Sequence, residues 1–244
     1  MQDTTRSRTA LVTGASKGIG AATCLRLANK GYEVYGLSRS KPGEEFRGTW
    51  IRCDLSNRDQ LASELEALLA KTPIDCLVNN AAWPFADNLD DLELDKLNAS
   101  LDFHVRSTLQ TMQAVIPGMK ERRHGRVVNL LTTLLKGSTG RSAYRAAKAG
   151  VMSLTVSAAL EYAEFGITVN GVAPVPTATD AFYDQNPPGS EGEAYFISQI
   201  PMSRMGRPDE VAAAIEFFLG EDASFITGQL IYADGGMSSG RRLG

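Results

Sequence analysis

Thr9-Ala-Leu-Val-Thr-Gly-Ala-Ser-Lys-Gly-Ile-Gly20 decides how this chain folds. Thr9 to Thr13 is a short apolar run that reads as a buried strand. Gly20 to Lys30 carries apolar residues at helical spacing and stops at Gly31. Between them the turn holds glycines at 14, 18 and 20, which permit a tight bend and close approach of backbone to a ligand. The helix that follows offers unpaired N–H groups and the positive end of its dipole, a natural seat for a pyrophosphate. Gly14, Ser16, Lys17, Gly18, Ile19 and Gly20 are therefore candidate cofactor contacts. The spacing is Gly-x3-Gly-x-Gly, not the Gly-x-Gly-x2-Gly of other dinucleotide-binding proteins.

Outward from this unit, short apolar runs alternate with amphipathic stretches. Further strands are expected at 33–37, 49–53, 74–79, 126–131, 167–173 and 229–233, and helices at 57–69, 97–120, 142–165 and 208–219. The segment between the second and third strands is too short and polar for a full helix. Such alternation predicts an α/β fold of three layers, a doubly wound parallel sheet of about seven strands with helices on both faces. No repeat or linker interrupts it, so residues 1–244 read as a single domain. Residues from about 175 to 206 break the rhythm with Pro, Gly and scattered aromatics, as a mobile lid over a substrate does.

Composition narrows the function. The chain has 244 residues, 43% hydrophobic, and a net charge of -3, which argues against a nucleic-acid binder. Its one basic cluster, Lys120-Glu-Arg-Arg-His-Gly-Arg126, sits where a helix end passes into a strand, a place that suits cations. Cys24, Cys53 and Cys76 lack metal-ligand spacing and read as small buried residues of a reduced protein; no metal is expected. The N-terminus is polar, and no apolar run reaches membrane-spanning length. The expectation is a soluble, cytoplasmic protein with no membrane or nucleic-acid partner.

The end of the second strand selects the cofactor. An NAD site wants a carboxylate there for the ribose 2′-hydroxyl, whereas a 2′-phosphate wants Arg or Lys. Leu37-Ser-Arg39 has no acid until Glu44, so Arg39, assisted by Lys17, favours NADP(H) over NAD(H). Asp54, followed by Leu55, ends the third strand, where its carboxylate suits the adenine amino group. Asn80 and Ala81 in Asn79-Asn-Ala-Ala82 line the ribose side. The second signal is Tyr144 with Lys148, one helical turn apart on a shared face. A nearby cation favours an ionised phenol, so the pair predicts a Tyr of lowered pKa that exchanges protons near neutral pH.

These residues, in this order, resemble the short-chain dehydrogenase/reductase family from Thr9 to about Gly236. The likeness rests on Thr-Gly-x3-Gly-x-Gly, Asp54, the Asn-Asn-Ala segment, Tyr-x3-Lys, Val169-Asn-Gly-Val-Ala-Pro174, Gly206-Arg-Pro-Asp-Glu-Val211, Ile226-Thr-Gly-Gln and Asp234-Gly-Gly236. It implies an oxidoreductase in which Tyr144 protonates a carbonyl or deprotonates an alcohol, while Lys148 binds the nicotinamide ribose and lowers the Tyr pKa. The family's substrate-holding Ser corresponds to Thr132, with Thr133 and Ser138 as fallbacks. Its relay Asn corresponds to His104, counted back from Pro117. In that place an imidazole would anchor the relay water or carry the proton itself, titrating near physiological pH. Pro174 and Thr179 fall at cofactor positions. Val175 replaces the usual Gly after Pro174 and is expected to crowd the nicotinamide face or the substrate.

Trp83, Phe85, Leu134, Leu135, Phe182, Tyr183, Tyr195 and Phe196 are the candidate pocket walls, and they point to a small apolar or cyclic ketone or alcohol. A 3-oxoacyl carrier-protein reductase and a sugar-alcohol or dihydrodiol dehydrogenase stay open. Such 3-oxoacyl reductases often have Arg where this chain has Phe165, and enoyl reductases have a longer Tyr-to-Lys gap. A catalytically weak NADPH-binding regulator or scaffold is the alternative from another class. The resemblance also implies a homotetramer, or a homodimer, paired through the long helices and through the last helix and strand.

Overall fold

Seven strands make one parallel sheet in a computed structural model that describes residues 7–83, 87–136 and 139–240. They are β1 (Thr9–Thr13), β2 (Glu33–Ser38), β3 (Thr49–Arg52), β4 (Cys76–Asn79), β5 (Gly125–Leu130), β6 (Ile167–Pro174) and β7 (Leu230–Ala233). Their order is β3-β2-β1-β4-β5-β6-β7. The chain steps outward from β1 to β3, then returns to lay β4 on the other side of β1, with Val12 beside Val78. Such a reversal opens a crevice at the carboxyl ends of the strands.

Eight α-helices surround the sheet: α1 (Gly18–Asn29), α2 (Arg58–Leu69), α3 (Leu94–Leu101), α4 (Ser107–Arg122), α5 (Ser142–Tyr162), α6 (Asp180–Tyr183), α7 (Glu191–Gln199) and α8 (Pro208–Leu219), counted among the described residues. Successive side chains of a strand point to opposite faces, and here both faces are covered. Ala10 and Val12 of β1 pack with Leu27 of α1 and Ile215 and Phe218 of α8. Leu11 turns the other way, to Leu65 of α2 and Met119 of α4. Two-sided burial is why the strands read as unbroken apolar runs. Burying each such Leu or Phe contributes roughly 1.5–3 kcal/mol. Helix starts follow local chemistry as well: the Asn57 side chain accepts from Gln60 N–H at 3.0 Å, and Pro208 occupies the first position of α8.

The helix expected over 97–120 is not continuous. It begins at Leu94 and widens into a π-turn over Asp102–Arg106 before α4 resumes. His104 and Ser107 direct side-chain hydrogen bonds to the carbonyls of Ser100 and Phe103, each four residues back, and such bonds compete with the helical ladder. Between β6 and α8 the irregular segment holds α6 and α7 and is closed at its base by a bridge between Thr177 and Gly206. It has a small core of its own, Val175, Ile200 and Met205 with Phe182 and Phe196 packed against it. Cys24, Cys53 and Cys76 are free and buried. No helix among the described residues is long and apolar enough to cross a membrane.

Candidate active site

A cleft of about 340 Å³ opens at the carboxyl ends of the strands. One end is the β1–α1 turn, where Gly14 and Gly18 have φ of 67° and 57°, in the left-handed region that favours glycine. Gly20 lies behind the turn: a Cβ there would stand 2.1 Å from the Gly14 carbonyl oxygen and 2.6 Å from Asn80 Nδ2. The Asn80 amide holds this turn, donating to the carbonyls of Thr13 at 3.0 Å and Gly14 at 3.2 Å. Thr13 Oγ1 in turn accepts from Asn80 and Ala81 N–H.

The cleft runs past Ser38, Arg39 and Ser40 at the end of β2 and Cys53, Asp54 and Leu55 after β3. Asp54 Oδ1 accepts from the Ser56 N–H and hydroxyl; burial opposes ionisation, yet these bonds and Arg39 keep the carboxyl below its ordinary range. Phe103, Leu130, Leu131, Tyr144, Lys148 and Pro174 also line it, with Thr179, Asp180 and Ala181 from the segment above, Thr179 lying against Gly18. Thus Gly14, Ser16, Lys17, Gly18, Ile19, Arg39, Asp54, Leu55, Asn80, Ala81, Tyr144, Lys148, Pro174 and Thr179 gather around one cavity, as their motifs predict. Ser38, Ser40, Phe103, Asp180 and Ala181 line the same cavity without belonging to any of these motifs. Adjacency to Arg39 and Thr179 marks four of them, whereas nothing in the sequence marks Phe103.

Tyr144 and Lys148 are both buried in α5, but their electrostatics differ from the expectation. Lys148 Nζ donates to the Leu130 carbonyl at 2.6 Å and lies 5.8 Å from the centre of the Tyr144 ring. Burial pushes the phenol up to about 12, with Arg141 pulling the other way, and pushes the lysine down to about 7. Removing both groups from water outweighs their mutual effect. Below them a polar chain crosses the core: Thr111 Oγ1 donates to Asn79 Oδ1, Asn79 Nδ2 to Asn129 Oδ1, and Asn129 Nδ2 to Thr155 Oγ1. It joins β4, β5, α4 and α5, and satisfying these buried groups fixes α5 against the sheet.

Thr132 is buried and is not part of the cleft wall. Its Oγ1 accepts from Leu134 N–H at 3.2 Å, and its own proton has no acceptor among the described residues. Thr133 donates to the Pro174 carbonyl at 3.3 Å, and Ser138 lies outside the described residues. His104 is buried edge-on to Tyr144, their ring centres 5.2 Å apart. Burial, reinforced by Lys148, pushes its pKa down to about 3, opposite to the titration near physiological pH expected of a relay imidazole.

The substrate walls divide. Trp83 stands at the exit of β4, 44% exposed and edge-to-face with Phe103. Leu134 is half-buried beside Thr132, and Phe85 lies outside the described residues. Val175 does not crowd the cleft. It is buried against Ile200 and Met205, because β6 continues through Pro174 and turns that side chain into the segment above. Phe182 packs in the same cluster, whereas Tyr183 hydrogen-bonds Glu193.

Comparison with known proteins agrees with this architecture. A family profile described as enoyl-(acyl carrier protein) reductase matches residues 14–238. The chain is 33% identical over 239 residues to the 3-oxoacyl-[acyl-carrier-protein] reductase FabG of Vibrio cholerae, covering 94% of this chain and 97% of that one. Among solved structures it resembles ligand-free aldohexose dehydrogenase of Thermoplasma acidophilum, with a TM-score of 0.91, 30% identity, and 98% and 97% of the two chains covered. It also resembles a 3-oxoacyl (acyl-carrier-protein) reductase from Agrobacterium tumefaciens with NADP bound, with a TM-score of 0.87, 32% identity and 94% of each chain covered. A parallel sheet in the β3-β2-β1-β4-β5-β6-β7 order, with the glycine turn and Tyr144–Lys148 lining one cleft, is thus matched over nearly its full length, and the chain belongs to the short-chain dehydrogenase/reductase family of oxidoreductases.

Proposed function

We propose that the enzyme interconverts a carbonyl and a secondary alcohol with NADP(H), using Tyr144 as general acid and base. The observation that carries this reading is the single cleft shared by the glycine turn, Arg39 and the Tyr144–Lys148 pair. The chemistry of the cleft fits a dinucleotide. No side chain caps the N-terminus of α1 and no acid lies in its first turn, which leaves N–H groups and dipole for a pyrophosphate. Arg39 and Lys17 would hold a 2′-phosphate, and the end of β2 offers no carboxylate that would hold a 2′-hydroxyl. The NADP in the Agrobacterium relative supports the same choice. When bound, the cofactor supplies the hydride.

The rest is done by this chain. Burial pushes the phenol up to about 12, so at neutral pH it is protonated, the form that donates to a developing alkoxide when a carbonyl is reduced. Lys148 supplies the adjoining N–H donor, held by the Leu130 carbonyl. Thr132, buried behind the cleft wall, has an O–H with no acceptor among the described residues, and it reaches a substrate only if the loop after β5 shifts. The segment over residues 175–206, closed at Thr177 and Gly206, serves as the lid. Phe103 in the cleft wall, with Trp83 packed edge-on against it at the exit of β4, favours a small apolar or cyclic substrate.

A second reading within the same chemistry is a 3-oxoacyl thioester, favoured by the names of the Vibrio and Agrobacterium relatives. Against it, Phe165 replaces the guanidinium such enzymes often present, and here it lies 4.3 Å beneath Lys120 Nζ. Oxidation of NADPH over a panel containing cyclic ketones, aldoses and a 3-oxoacyl thioester separates these readings. Binding without turnover on any of them sinks both and leaves an NADPH-binding regulator.

The enzyme is further proposed to work as a cytoplasmic homotetramer. Leu109, Met152, Val156 and Leu160 are exposed on α4 and α5, and Phe217, Phe225 and Ile231 near the last helix and strand. Light scattering that finds a monomer at micromolar concentration overturns the assembly.

A further inference from the structure

We propose that His104 is a positioning residue, held as the neutral Nδ1–H tautomer, which ties the Trp83 strand exit to the helix beside Tyr144 and takes no part in proton transfer. Its two ring nitrogens face partners of opposite character. The Trp83 N–H only donates, and it lies 3.1 Å from Nε2, so Nε2 offers its lone pair. The Ser100 carbonyl only accepts, and it lies 2.9 Å from Nδ1, so that nitrogen carries the proton. The Ser100 hydroxyl, 3.4 Å from Nδ1, fits either role and changes neither assignment. With both bonds made, the ring has neither a lone pair nor a proton left for a relay water.

The surroundings reinforce this assignment. His104 is 2% exposed and packs edge-on to Phe103 at 5.0 Å and to Tyr144 at 5.2 Å between ring centres. The titratable groups facing it from α5 are Tyr144 and Lys148, neither of which stabilises an imidazolium. On its own turn, the Asp102 carboxylate is taken by Arg58 and Arg106. A second proton on Nε2 would set N–H against N–H at Trp83 and place a cation beside Lys148. The burial that holds His104 down to about 3 acts in the same direction. What the imidazole does is mechanical: it spans from the Ser100 carbonyl to the Trp83 amide, fixing the chain leaving β4, whose Asn80, Ala81 and Ala82 line the cleft. An Asn side chain at 104 is too short to hold both partners.

The positioning role rests on Tyr144 being the acid of the active site; the tautomer does not, and the two are tested separately. The chain has two histidines, so long-range 1H–15N spectra of uniformly 15N-labelled protein are simple, and His124→Gln assigns them. We expect His104 to show a protonated Nδ1 and a bare Nε2, unchanged from about pH 8 to about pH 5. Titration in that range, or a proton on Nε2, overturns the proposal whatever the activity. On any carbonyl substrate that the enzyme reduces, His104→Asn and His104→Gln should raise KM about ten-fold with the pH profile of kcat unmoved. A lost limb in that profile, or rescue of His104→Ala by added imidazole, would instead establish a relay.

Discussion

Lys148 Nζ donates to the Leu130 carbonyl at 2.6 Å, and so the ammonium is anchored to the end of β5 rather than to the Tyr144 phenol. The four-residue spacing brings the two groups onto one helix face, but a buried cation with a neutral carbonyl for a partner stays under the penalty of desolvation.

That penalty gives stability a definite pH dependence. The folded pKa of Lys148, about 7, is below its ordinary 10.5, so between these values the unfolded chain binds more protons and stability rises with pH. Tyr144 has the opposite sign: its folded value of about 12 exceeds 10.0, and its contribution is lost as pH climbs through that interval. Thermal melts of wild type and Lys148→Met should therefore converge or cross in favour of wild type between about pH 7 and about pH 9, by an amount on the order of a few kcal/mol. A Tm difference independent of pH would show that Lys148 is not desolvated as described.

Arg39 is exposed at the edge of the cleft, so its replacement should not disturb the fold. A charge-assisted hydrogen bond is worth about 1.5–3 kcal/mol, so Arg39→Ala should weaken NADPH at least ten-fold and leave NADH nearly unchanged. Fluorescence titration with both nucleotides reads this directly. Equal weakening of the two would remove Arg39 from the 2′-phosphate.

Asp87 holds the start of the helix that bears Tyr144. Its Oδ1 accepts from Ser142 N–H and, at 3.3 Å, from Ala143 N–H, while its own N–H donates to the Gly140 carbonyl at 3.2 Å. Asp87→Ala should destabilise the protein by about 1 kcal/mol, with Asp87→Asn recovering most of it. A lowering of Tm by about 2–4 °C in calorimetry is the expected size for a domain of this length, and no change would deny the cap.

What the sequence disclosed and what it hid have physical causes. The glycine turn, Arg39, Asp54 and Tyr144–Lys148 were legible because each needs a residue type at a fixed place along one local element. Pro208–Leu219 was legible to the residue, since Pro and an acidic first turn mark its start. The π-turn at Asp102–Arg106 was not, because its apolar spacing passes for ordinary helix and its cause is a side chain bonding a carbonyl. Val175 was misplaced because its direction depends on how far β6 runs and on Ile200 and Met205, distant in sequence. The burial that moves Tyr144, Lys148 and His104 away from their ordinary pKa values is likewise made by elements brought together from far along the chain.

The central claim is that Tyr144 delivers the proton during reduction of a carbonyl. It is tested most directly by single-turnover NADPH oxidation in wild type and Tyr144→Phe, with NADPH affinity measured on the same samples. The account predicts that the variant binds NADPH as wild type does and reduces the best carbonyl substrate at least about 10²-fold more slowly. A Tyr144→Phe enzyme that keeps wild-type turnover would contradict it.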